Sequence, residues 1–220
     1  MLRVRDAMSR EVVAIGPDAG VGEAWGLCRE RGIRHLPVVE GEKLVGIVSD
    51  RDLRDVSPPR DTRDEENTLG YVRVREIMST DVVTVHPLDT IEHAARTIYE
   101  KNFNGLPVVA DGELAGIITS TDLVRILVDL TGAGSEGSWI EVEVPNEPGT
   151  LAGITDELRN RQVNIAGIFL GPAGRETYRS IVLRLETTDP SSIAETLEGA
   201  GYTVTTTEST APQDRNVERR

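Results

Sequence analysis

A stretch of this chain occurs twice at a constant spacing of 70 residues, and that duplication restricts the fold more than any other feature. Val4-Arg5-Asp6-Ala7-Met8-Ser9 returns as Val74-Arg75-Glu76-Ile77-Met78-Ser79. Leu36-Pro37-Val38-Val39 returns unchanged as Leu106-Pro107-Val108-Val109. Gly46-Ile47-Val48-Ser49-Asp50-Arg51-Asp52-Leu53 returns as Gly116-Ile117-Ile118-Thr119-Ser120-Thr121-Asp122-Leu123. From Val4 to Leu53, 18 of 50 aligned positions are identical without a gap, far above chance. One copy of about 50 residues is marginal alone, so the two are expected to pack on each other.

Each copy reads as β-α-β-β-α. Val12-Val13-Ala14-Ile15 is a β-branched run stopped by Gly16-Pro17, hence a strand. Val21, Ala24, Trp25 and Cys28 keep helical spacing, as do Ile91, Ala94, Ala95 and Ile98 in the second copy, with Asp18 or Asp89 as caps. Cys28 on that apolar face reads as a buried small hydrophobe. Two strands follow, Leu36–Val39 and Leu44–Ser49, joined by a turn at Gly41 that Asp111-Gly112 matches. A second helix starts after Ser49 or Thr119, each a good N-cap.

The charge balance narrows function. Against 24 Lys and Arg stand 37 Asp and Glu, a formal charge of −13, which disfavours a general nucleic-acid binder. No apolar run approaches the roughly 18 residues of a membrane span, and the N-terminus lacks a signal-peptide core, so a soluble, cytoplasmic protein is expected. One cysteine excludes an intrachain disulfide and a multi-thiolate metal site. His35, His86 and His93 are scattered, and no nucleophile–base, H-E-x-x-H, G-x-S-x-G or phosphate-loop motif is present. No catalytic or metal-binding residue is therefore assigned.

The paired L-P-V-V and G-I-[VI]-[ST]-x-x-D-L motifs resemble CBS domains arranged as a Bateman pair. The resemblance implies a regulatory module with clefts between the copies. Those clefts would take an adenosine-containing regulatory ligand of the AMP, ADP, ATP or S-adenosylmethionine type, with no cofactor required. Asp52 and Asp122 stand three residues after the hydroxyls of Ser49 and Thr119, placing carboxylate and hydroxyl on one face of a helix start, where a ribose diol could be held. Val13 and Val83 would wall the base. Arg34-His35 corresponds to Asn104-Gly105 in the second copy, so two unequal sites are expected, one suited to phosphate. Arg51 and Arg54 are further phosphate candidates. The alternative is that Ser49, Thr119 and the aspartates only cap helices, and that the arginines form surface ion pairs.

Residues 1–68 are expected to form the first copy with its linker and 69–131 the second. Ser57–Thr68 reads as an exposed linker. Gly132-Ala133-Gly134-Ser135-Glu136-Gly137 matches G-x-G-x-x-G, but a helix precedes it and a strand follows, the reverse of a dinucleotide loop. From 138 to 207 the pattern becomes β-α-β-β-α-β, a ferredoxin-like order. Its strands are Trp139–Val144, Val163–Leu170, Tyr178–Leu185 and Tyr202–Thr206, its helices run through Leu151–Leu158 and from Asp189-Pro190 onward, and Gly171–Gly174 makes a turn. Residues 208–220 read as a disordered tail. The whole is α/β in the α+β sense: a Bateman pair plus a ferredoxin-like unit.

Pro148-Gly149-x-Leu151, Ile154, Leu158 and Val163-Asn164-Ile165 resemble an ACT domain, and CBS pair followed by ACT is the layout of the acetoin-utilisation accessory type. The ACT resemblance implies side-by-side homodimerisation and an amino-acid effector site using Asn146, Glu147, Gly149 and Leu151, with Asn164 and Ile165 across from them. The alternative there is a plain turn beside a dimerisation strand. The protein would be a non-catalytic sensor acting on a target protein the sequence does not name, or else a constitutive dimerisation scaffold without a ligand.

Overall fold

The computed structural model describes residues 1–56, 72–132, 136–171 and 177–210. The expected linker after Val56, the core of the turn at 172–174 and the tail beyond Thr210 lie outside them. The chain divides into two compact units, Met1–Val124 and Arg125–Arg220.

The first unit holds both copies. Copy one contributes α1 (Val21–Arg31), β1 (His35–Glu40), β2 (Lys43–Ser49) and α2 (Asp50–Asp55). Copy two contributes α3 (Val74–Ile77), α4 (Ile91–Lys101), β3 (Gly105–Ala110), β4 (Glu113–Thr119) and α5 (Ser120–Thr131), the last running on past Val124. Each β-hairpin is antiparallel, and the hairpins meet edge to edge through Lys43 opposite Glu113, giving one sheet ordered β1-β2-β4-β3. Val21, Ala24 and Cys28 are buried on α1 with Leu36, Val38, Val48, Leu53 and Val74. Burial, and secondarily Asp50, raises the Cys28 thiol above its ordinary pKa.

The first strand of each copy is narrower than expected. Only Ile15 and Val85 pair, each as a single parallel bridge, to Val38 and Val108. Ile15 N–H donates to the Pro37 carbonyl at 3.0 Å, and the Ile15 carbonyl accepts from Val39 N–H at 2.9 Å. Pro37 has no N–H to return, so the ladder cannot grow past that residue. The helix caps also differ: Gly20 caps α1 without a side-chain bond, and Thr90 caps α4, its hydroxyl accepting from His93 N–H at 3.2 Å. Asp18 instead pairs with Arg75, and Asp89 accepts from His86 N–H at 2.7 Å inside the preceding turn.

The copies exchange their leading segments. Val4–Ser9 lies on copy two: Val4 N–H reaches Asp89 O at 2.9 Å, and Ser9 and Ile117 exchange bonds of 2.9 and 3.0 Å. Val74–Ser79 lies on copy one: Val74 N–H reaches Ala19 O at 3.0 Å, and Ser79 and Ile47 exchange bonds of 2.9 and 3.0 Å. Val4 and Val74 are both completely buried there, each contributing about 1.5–3 kcal/mol of transfer free energy. Gly46 and Gly116 allow the approach, since a Cβ at Gly116 would come within 2.9 Å of Ser9 O and press on Met8.

The second unit contains β5 (Gly137–Pro145), α6 (Thr150–Asn160), β6 (Ile165–Leu170), β7 (Tyr178–Leu185), α7 (Pro190–Gly199) and β8 (Thr203–Thr210). Its antiparallel sheet is ordered β6-β7-β5-β8. Alternate residues Ile140, Val142 and Val144 meet Ile154, Leu158, Ile193 and Leu197 from the helices in one core. Asp189 caps α7, with Pro190 at its first turn. The last strand passes Thr206 and reaches Thr210, correcting the tail boundary: Glu208, Ser209 and Thr210 pair with Trp139, Ser138 and Gly137. The longer β5, beginning at Gly137, offers backbone partners that a reading of side-chain pattern could not count.

Candidate functional site

The last helix of each copy, α2 and α5, begins with a reciprocal cap that fixes an aspartate. Ser49 N–H and its Oγ–H donate to Asp52 Oδ2 at 2.8 and 2.7 Å, and Asp52 N–H returns a bond to Ser49 Oγ at 3.3 Å. Thr119 and Asp122 repeat the pattern at 2.9, 2.7 and 3.3 Å. The caps expected at Ser49 and Thr119 therefore hold both carboxylates in one orientation. Asp52 is half-buried, and Asp122 is only 7% exposed.

Both aspartates line clefts, and each cleft draws walls from both copies. A cleft of about 550 Å³ takes Ile47, Ser49, Asp50, Arg51, Asp52 and Arg54 from copy one, and Ser79, Asp81 and Val83 from copy two. A second, of about 360 Å³, takes Ile117, Thr119, Thr121 and Asp122 from copy two, and Ser9, Glu11 and Val13 from copy one. Both volumes fall in the range of small-molecule sites. The segment exchange produces this crossing: Val83 faces the Asp52 cleft and Val13 the Asp122 cleft. Ser9 and Ser79, Glu11 and Asp81, and Ile47 and Ile117 went unassigned by sequence reasoning, although each pair sits at the 70-residue offset and so carried the signal.

Arg34, His35 and Asn104 line both clefts rather than one. His35 opens β1 opposite Ser49, Gly105 opens β3 opposite Thr119, and a Cβ at Gly105 would lie 3.5 Å from His35 Nδ1. Burial lowers the His35 pKa; Asp50 and Asp52 oppose that shift and Arg34 reinforces it. Arginines are concentrated in the larger cleft, which has Arg34, Arg51 and Arg54 where the smaller has Arg34 alone. Arg54 is turned to Asp50, Nη2 lying 3.3 Å from Oδ2 and Nε donating to the backbone oxygen at 3.2 Å. Among the described residues, Arg54 is the candidate arginine that forms the surface ion pair weighed above.

The effector candidates of the second unit are not brought together within one chain. Asn146, Glu147, Gly149 and Leu151 sit at the exit of β5, where Pro145 pairs with Tyr178. Asn164 and Ile165 sit at the entry of β6, where Ile165 pairs with Leu185. The 8-residue β7 separates the two groups by about 23 Å. Asn164 Nδ2 donates to Glu186 Oε2 at 3.1 Å, and Gly149 has a φ of +92° at the start of α6. Among the described residues no helix is long and apolar enough to cross a membrane.

Two hairpin-bearing copies that share composite clefts, followed by a ferredoxin-like unit, define a paired-repeat architecture with an appended βαββαβ module. The CBS-domain model matches residues 4–58 and 74–129, half of the chain, and the ACT-domain model matches 138–201. The chain belongs to the CBS-domain family, as a tandem CBS pair with a C-terminal ACT domain, and both are regulatory modules. It is 31% identical over 137 residues to the CBS domain-containing protein YhcV of Bacillus subtilis, covering 61% of this chain and 92% of YhcV. It is 38% identical over 122 residues to an inosine-5'-monophosphate dehydrogenase of Korarchaeum cryptofilum, covering 55% of this chain but 23% of that enzyme. Among solved structures, a Vibrio cholerae protein bearing the acetoin-utilization name AcuB is 33% identical, with a TM-score of 0.52 over 59% of this chain and 93% of that one. CBSX2, solved in complex with AMP, is 32% identical, with a TM-score of 0.50 over 58% of this chain and 97% of its own.

Proposed function

We propose that the protein is a non-catalytic sensor whose CBS clefts bind an adenosine-containing ligand and thereby change how it contacts a target protein. The observation that carries this reading is the oriented aspartate beside a helix-start hydroxyl in each cleft, whose lining also takes Val83 or Val13 from the other copy. A carboxylate in that place accepts two hydrogen bonds from a ribose 2′,3′-diol, and the β-branched wall takes the base. The AMP complex of CBSX2 supports the ligand class. Coupling to the target requires different ligand affinities in two conformations. Saturation at a hundredfold over Kd stabilises the fold by about 2.7 kcal/mol. A thermal-shift panel of AMP, ADP, ATP and S-adenosylmethionine on the full chain tests this. At least one should raise Tm in the wild type and lose its effect in Asp52→Ala plus Asp122→Ala; no shift with any of them contradicts the reading.

The ACT unit serves a homodimer. Edge strand β6, Ile165–Leu170, carries no charged residue, and its Ile168 and Leu170 are 41% and 60% exposed, which favours strand pairing with a second copy. Such pairing would also supply the second chain that an amino-acid site using both effector groups needs. A constitutive dimerisation scaffold is the rival reading, favoured because Asp52 and Asp122 already have a structural task in their caps. It differs by giving no Tm response to any nucleotide.

A further inference from the structure

The two CBS clefts share one basic anchor. Arg34 and His35 line both, and the copy-two residues at the equivalent positions, Asn104 and Gly105, bring no charge. The backbone fixes this group at the seam. Asp50 N–H donates to Arg34 O at 2.9 Å, Ser120 N–H donates to Asn104 O at 3.0 Å, and the His35 ring borders Gly105. In the smaller cleft the carboxylates Glu11 and Asp122 outnumber Arg34, the one arginine among its described lining residues.

From this we infer that Arg34 is a shared anion clamp, so that phosphorylated adenosines in the two clefts antagonise each other while uncharged adenosines do not. The inference rests on the adenosine reading above and adds the regulation of that site. A guanidinium holds one phosphate through a planar pair of N–H donors. A second phosphate would meet an engaged clamp and the negative charge of the first ligand at short range. Occupancy of one cleft by AMP is then reported to the other through Arg34, with no change in the aspartates that hold the sugars.

Calorimetry on the full chain with AMP and with adenosine tests this, each cleft being measured alone in Asp52→Ala or Asp122→Ala. Val83→Trp and Val13→Trp plug the clefts singly while leaving both caps intact, in case losing a cap unfolds the chain. The clamp predicts that the second AMP binds wild type at least about fivefold more weakly than the same cleft does when its neighbour is blocked. Adenosine shows no such penalty. Asn104→Arg, which supplies a second guanidinium at the repeat-equivalent place, removes most of the AMP penalty. Two AMP molecules binding wild type with their single-cleft affinities overturn the clamp, as does an equal penalty for adenosine or a smaller cleft that binds no AMP by itself. If neither AMP nor adenosine binds any form of the protein, the adenosine reading itself has failed.

Discussion

Asp52 and Asp122 each carry two tasks, and the tasks are separable by substitution. Loss of the cap costs about 1 kcal/mol, whereas loss of the sugar contact removes ligand-dependent stability altogether. Asp52→Asn keeps an oxygen that can accept the Ser49 bonds but weakens the grip on a diol. It should leave the apo Tm nearly unchanged and reduce AMP binding at the larger cleft; equal losses in both would make the residue purely structural. His35 gives a pH signature. Its native pKa lies below the ordinary 6.5 because of burial. As pH falls from 6.5 towards that lower value, the unfolded chain takes a proton that the native chain refuses, so stability drops in this window and is unaffected above it. Urea midpoints should fall more steeply between pH 7 and 5 in wild type than in His35→Gln, and parallel profiles would contradict this. The capping pairs Ser49–Asp52 and Thr119–Asp122 were legible in the sequence because a hydroxyl three residues before an acid is the pattern of a helix start. Sharing of Arg34 by both clefts was not legible, since it depends on where the strand starts β1 and β3 meet.

Among the elements, the exchanged segments decide the geometry of both clefts. Repetition in the sequence says that two copies fold alike; it does not say which copy receives the other's leading segment, because Val4 and Val74 are chemically interchangeable. Close backbone approach at Gly46 and Gly116 is the trace of that exchange. Gly116→Ala forces Ser9 and Met8 outward and should cost about 1–3 kcal/mol in denaturant unfolding, with weaker ligand binding in the Asp122 cleft. A neutral effect would mean the segment is not clamped. The hairpins, the long helices and the alternation along β5 were legible because each is a local pattern of side chains. The run Val12–Ile15 was misjudged in extent because its partner strand contains Pro37, and a missing N–H on the partner leaves no mark on the run itself. Thr90 displaced Asp89 as the α4 cap for a comparable reason, the aspartate being held by His86 N–H.

For the whole molecule, the proposed homodimer rests on the uncharged β6 edge. Ile168→Lys with Leu170→Lys places two charges on that edge and should convert a dimer into a monomer by light scattering, leaving AMP binding at the CBS clefts intact. An unaltered dimer would move the interface elsewhere. The central claim is that one adenosine sugar is gripped by an aspartate in each composite cleft. Its most direct measurement is calorimetric titration of this chain with AMP, wild type against the Asp52→Ala plus Asp122→Ala double variant, with circular dichroism verifying the variant's fold. Saturable heat in the wild type and none in a folded double variant is the predicted result; identical isotherms for the two proteins would contradict it.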